Sequence, residues 1–159
     1  MRDKKVLFIT QAAAIAAIYV VLTLVFAPIS FGQVQVRISE ILTILPFFTP
    51  AAIPGLFIGC MIANVFGGAI VVDIIFGSIA TLLGAVGSYL LRKNKWFVPL
   101  PPIIANTLIV PMVLRYGYGI DLPLVILMAS IALGELISCY GGGMLLLTVL
   151  QKNRKVIFR

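Results

Sequence analysis

The chain has 159 residues, of which 62% are hydrophobic and 11% charged, with a mean hydropathy of +1.17. A soluble domain of this size needs a charged surface that so few ionisable residues cannot supply, so the composition is that of an integral membrane protein. The net charge of +7 arises without histidine. No basic stripe is interleaved with aromatic residues, which argues against a nucleic-acid partner, and the lysines and arginines instead bear on membrane orientation.

Val6 to Ala27 carries no charge and is long enough to cross a hydrocarbon core of about 30 Å as a helix. It also exceeds the apolar region of about 7 to 15 residues expected of a cleaved secretory signal. Its small residues Ala12, Ala13, Ala16 and Ala17 form two pairs four apart, which allow another helix to approach closely, either inside the bundle or from a partner. Ile41 to Val72 is again free of charge, and at about 1.5 Å per residue it is too long for one span and tight for two. Two spans fit if the first begins near Gln33, which draws Arg37 and Glu40 into the membrane. Pro46, Pro50 and Pro54 mark the break between them, with the turn near Thr49 and Pro50.

Ile74 to Leu91 supplies a fourth span. Trp96 to Leu114 supplies a fifth, opened by Pro99, Pro101 and Pro102, and Leu122 to Gln151 a sixth, interrupted by Glu135 and by Gly141, Gly142 and Gly143. Arg2, Lys4 and Lys5 precede the first span. Arg92, Lys93 and Lys95 separate the fourth from the fifth, and Lys152, Arg154, Lys155 and Arg159 follow the sixth. Six spans put all three basic clusters on one side, the cytoplasm by the positive-inside rule, with both termini there. The expected fold is therefore an all-α, six-helix transmembrane domain filling residues 1–159. The cysteines, Cys60 and Cys139, lie in apolar runs and read as buried free thiols, with no disulfide framework and no metal-ligand spacing.

The polar residues of the spans gather in one half of the membrane. Glu40, Asn64 and Asn106 each fall roughly 10 Å deep, Glu135 about 20 Å, and Asp73 at the start of the fourth span. A charge at the membrane centre costs at least about 2.5 to 3.5 kcal/mol on insertion scales, so such residues face the bundle interior and find partners. Arg37 and Glu40, three apart, are suited to pair on one helix face, which leaves Asp73 and Glu135 without a basic partner. Excess buried carboxylate calls for protonation or for a ligand that donates hydrogen bonds or carries positive charge. Asn64 and Asn106 are helix-to-helix glue or ligand contacts. The loop RYGYGID, residues 115–121, offers Tyr116 for stacking on a planar ligand, or as part of an interfacial aromatic belt.

The stretch from Gln35 through QVRISEILTILP, the block G-x-x-x-x-C-x-I-A-N at Gly55 to Asn64, and GELIS at residues 134–138 resemble the QueT family of queuosine-precursor transporters. These are substrate-binding S-components of energy-coupling factor importers. The resemblance implies capture of a deazaguanine base outside the cell by a multi-pass protein of the cell membrane. It also implies a transmembrane coupling subunit and two ATPase subunits, docked through the alanines of the first helix. The residues that would bind substrate are Arg37, Glu40, Asn64, Asp73, Asn106, Glu135 and Tyr116, with Arg37 holding Glu40 against the base, or with Glu135 as the carboxylate that reads it. No phosphate-binding loop is present, so ATP is expected to be used by partners and no cofactor by this chain. No nucleophile with a partnered base is visible, so the chain is not expected to be an enzyme. An S-component for another vitamin-like molecule is the alternative, ahead of a passive channel, which would need polar residues through both halves.

Overall fold

The computed structural model describes residues 2–30 and 36–153, and every regular element among them is helical. Helix α1 is Arg2–Val25, followed by the short α2, Ala27–Ser30. A 3-10 helix, Ile38–Phe47, leads to α3, Ala52–Phe66, and α4, Val71–Leu90. Helix α5, Leu100–Met112, runs on through a π-helical turn, Val113–Gly117. Helix α6, Leu124–Glu135, continues through a π-helical segment, Leu136–Gly142, into α7, Gly143–Lys152.

Four stretches are long and apolar enough to cross a membrane: Asp3–Val25, Val71–Leu90, Leu100–Gly117 and Leu124–Lys152. The region expected to hold the second and third spans contains two shorter helices, the ten-residue 3-10 helix and the fifteen-residue α3. Proline explains the break. Pro46 closes the 3-10 helix, Pro50 lies in the turn and Pro54 in the first turn of α3, where a missing N–H costs nothing. The expected start of the second span at Gln33 lies outside the described residues, as do Arg154, Lys155 and Arg159. Helix α5 begins at Leu100, later than expected, because Trp96 to Pro99 form a turn.

The 3-10 helix is the hub, packed against α1, α3, α4, α7 and the Leu136–Gly142 segment, with seven of its ten residues buried. Residues three apart stack in this geometry, so the sequence sorts into rows. Ser39, Leu42 and Leu45 face α1, where Thr23 donates to Ser39 Oγ at 2.7 Å and both leucines join a core with Ile15 and Tyr19. Ile41 and Ile44 turn toward the end of the chain, Ile44 packing with Leu147 and Ile41 against Gly142. Glu40 and Thr43 form the third row, toward Cys139. Gly142 and Gly143 are thus where the end of the chain presses against the hub, while Gly141 borders open space.

Helices α1 and α3 meet through small residues on both sides. A Cβ on Gly55 would stand 2.7 Å from the Ala12 carbonyl oxygen, and one on Gly59 2.9 Å from Tyr19 Cβ and 3.0 Å from Ala16 Cα. Ala16 is therefore buried in internal packing, which corrects its expected place in a partner surface, Ala12 is half-buried against Gly55, and Ala13 and Ala17 remain exposed. Their spacing put the pairs on neighbouring faces, and the glycines of α3 chose between them.

Candidate functional site

The buried arginine and carboxyl side chains among the described residues are Arg37, Glu40, Asp73 and Glu135, each 5% exposed or less. One positive group stands against three carboxyl groups, in a core whose other polar side chains are hydroxyls and amides. They form two adjoining clusters, joined through the hub.

In the first cluster Arg37 faces Asp73, with Nη2 3.9 Å from Oδ2. Arg37 precedes the 3-10 helix with extended backbone, φ −84° and ψ 103°, which sets its guanidinium against Asp73 in place of the expected direct Arg37–Glu40 salt bridge, while its charge still acts on Glu40. Tyr118 donates its hydroxyl to Asp73 Oδ2 at 2.9 Å and accepts from the Ile70 amide at 3.4 Å. Burial, and then the Asp73 carboxylate, raise the pKa of this loop hydroxyl, so it stays a donor through neutral pH. Asn64 donates to the Asp73 carbonyl oxygen at 3.4 Å. Gly77 leaves room for the carboxylate, since a Cβ there would lie 2.8 Å from Asp73 Oδ1 and 3.3 Å from Asn64 Nδ2.

The second cluster joins Glu40 of the hub to Glu135, at the junction of α6 with its π-helical continuation. Tyr19 of α1 donates to Glu40 Oε1 at 2.5 Å. Asn106 of α5 donates to Glu135 Oε1 at 2.9 Å and also lies beside Glu40. Cys139 donates to Glu135 Oε2 at 3.2 Å and meets Thr43 at 3.5 Å. One ligand atom from each of Glu40, Glu135 and Cys139 falls within 4.8 Å of the others, close enough to share a cation. π-Helical segments recur at functional sites because the wider turn re-aims side chains, and this one begins immediately after Glu135.

The spare bonding capacity is of one kind on the carboxylates and amide. Glu40 Oε2, Asp73 Oδ1 and Asn64 Oδ1 are buried acceptors with no hydrogen-bond partner among the described residues. A site finished in this way receives donors.

Of the seven residues expected in the site, Arg37, Glu40, Asn64, Asp73, Asn106 and Glu135 lie in these two clusters. Tyr116 does not: it is 76% exposed and lines an apolar surface groove of about 380 Å³ with Val72, Phe76 and Met112. Beyond the π-helical turn and beside Gly119, with φ +68°, Tyr118 reaches Asp73 with its hydroxyl in its place, although its side chain is still 40% exposed. Sequence reasoning also missed Tyr19, Thr43, Cys139 and Thr81, whose hydroxyl lies beside Glu40 and donates to Cys60 Sγ at 3.3 Å. Tyr19 carried a signal, a phenol well inside a span and not at an interface, where a buried hydroxyl needs a partner. Both cysteines are free and buried, as expected.

The fold and the site define an all-helical membrane protein with a charged, acceptor-rich polar centre. The profile of the QueT transporter family matches residues 9–152, and the chain belongs to that family, one of transporters and not of enzymes. It is 40% identical over 85 residues to the queuosine precursor transporter QueT of Lactococcus lactis subsp. cremoris, a match covering 52% of this chain and 50% of that protein. The chain thus spans about half the length of the curated relative it matches. No solved structure matches it significantly.

Proposed function

We propose that this chain is the substrate-binding subunit of an energy-coupling factor importer in the cell membrane, and that it captures a queuosine precursor, a deazaguanine base, at its outer face. The observation that carries this reading is the set of unfilled buried acceptors on Glu40, Asp73 and Asn64 beside three buried carboxyl groups. A guanine-like edge presents neighbouring N–H donors that a carboxylate accepts together. The family match and the printed name of the relative point to the same solute. In this reading residues 1–159 act as one domain, the 3-10 helix and α3 are the second and third of six passes, and both termini are cytoplasmic. A transmembrane coupling subunit docks on the exposed Ala13 and Ala17, and two ATPase subunits hydrolyse ATP, so this chain needs no cofactor.

Calorimetry on the purified chain tests the reading, with deazaguanine bases set against riboflavin and biotin. The expected result is saturable binding of a deazaguanine base and no ATP hydrolysis. Preference for a vitamin keeps an S-component and overturns the solute.

A further inference from the structure

Glu40 and Glu135 are placed on different elements, yet their carboxyl oxygens converge. Each is held by its own donor: Tyr19 fixes Glu40 through Oε1, while Asn106 and Cys139 fix Glu135 through both oxygens. Glu40 Oε2 is left buried with no hydrogen-bond partner among the described residues, and Glu40 itself is 0% exposed. The basic side chain buried nearby, Arg37, faces Asp73 and also acts on Glu40 and Glu135, so one cation is shared among three carboxyl groups. Two carboxyl groups at this depth are costly unless something positive joins them.

The spacing suits an ammonium group. Charge-assisted N–H···O bonds run about 2.8 Å, and two of them diverging at the tetrahedral angle set their acceptors about 4.6 Å apart. One oxygen from each carboxyl group lies within 4.8 Å of the other, a limit that admits this separation. Asp73 Oδ1 and Asn64 Oδ1 are also unfilled acceptors, and the side chains that carry them come together at Gly77, where they are left for the neighbouring N–H donors of a planar base.

We propose that Glu40 and Glu135 form a clamp for an ammonium substituent of the ligand, while Asp73 and Asn64 read the edge of its base. The site then selects a deazaguanine carrying a protonated amine over the same base with a neutral substituent. This rests on the reading of the chain as a capture subunit for a queuosine precursor, and it assigns the class of precursor taken.

The test compares two probes, 7-deazaguanine bearing an aminomethyl group and 7-deazaguanine bearing a nitrile, titrated into the full chain in detergent. The aminomethyl base should bind tighter by about tenfold or more, since one charge-assisted bond exceeds the 1.4 kcal/mol that a factor of ten represents. Glu135→Gln should narrow that ratio to about threefold or less by weakening the aminomethyl base, with nitrile binding retained as proof of folding. Glu40→Gln should do the same, and serves if the first variant does not fold. Equal binding of the two probes by the unaltered chain overturns the clamp while leaving the solute reading intact. A ratio that survives in both variants also overturns it. Binding that requires an added divalent cation assigns the carboxylates to a metal and overturns the clamp. Failure of both probes to bind removes the solute reading and the clamp with it.

Discussion

The Arg37–Asp73 cluster and the Glu40–Glu135 pair share the hub of the fold but are finished differently. Asp73 meets a guanidinium and a tyrosine hydroxyl, so its charge is answered within the chain. Glu40 and Glu135 are held directly by neutral donors, a phenol, an amide and a thiol, while the single charge of Arg37 acts on both without a direct ion pair of 4 Å or less among the described residues. The first arrangement is that of a structural ion pair with spare acceptors at its edge. The second holds its charge in reserve, which a folded protein retains at a cost only where something else supplies the counter-charge.

The largest effect should come from breaking the internally answered side. Arg37→Met leaves Asp73 buried without its cation, and removing one partner of a buried pair costs about 3 to 5 kcal/mol. Thermal melting of the unliganded protein should fall sharply, and the double variant Arg37→Met with Asp73→Asn should recover part of the loss. A single variant that melts normally would show that the ion pair contributes nothing and that the two clusters do not differ as described.

A smaller effect, and on a different observable, is expected from the other side. Glu40→Gln keeps an acceptor for Tyr19 but brings amide donors to face those of the ligand, an opposition worth about 1 to 3 kcal/mol. Affinity for the aminomethyl base should fall by about tenfold or more, with little change in melting. A variant that melts far lower yet binds normally would make this pair structural too, and the contrast would vanish.

Tyr118→Phe removes one partly buried hydrogen bond to Asp73 and should lower stability by about 1 kcal/mol in the same melting experiment. Tyr116→Phe should leave melting and binding unchanged, because its ring is exposed. Equal effects from the two would erase the distinction between them.

The smallest effect on the isolated chain should be that of Ala13→Leu, within about 0.5 kcal/mol in melting, since this alanine is exposed. Uptake in cells should fall nonetheless if that face receives the coupling subunit. Unchanged uptake would remove Ala13 from the partner surface. Gly55→Leu, facing Ala12 on the packed side, should destabilise the chain itself.

Much of this site was legible in the residues because a membrane chain cannot hide its polar groups. Arg37, Glu40, Asn64, Asp73, Asn106 and Glu135 stood out against charge-free runs, and counting along helices put them at comparable depths. Tyr118 was confused with Tyr116 because two tyrosines in one loop are equivalent until a π-helical turn and a left-handed glycine orient them. Thr43 and Cys139 escaped notice because a threonine or a thiol is unremarkable in an apolar helix until a carboxylate arrives beside it.

The sequence alone determined that this is a helical membrane protein with ionisable residues buried among its helices, because hydrophobic runs and intolerable isolated charges are properties of composition and spacing. Pairing was decided only by tertiary structure. The extended backbone at Arg37 turned it from Glu40 to Asp73, the three-residue period of the 3-10 helix aimed Glu40 toward α6, and the small faces of α1 and α3 consumed one alanine pair and spared the other. Each outcome depends on which side chains meet across elements distant in the chain, and local propensity does not contain that information.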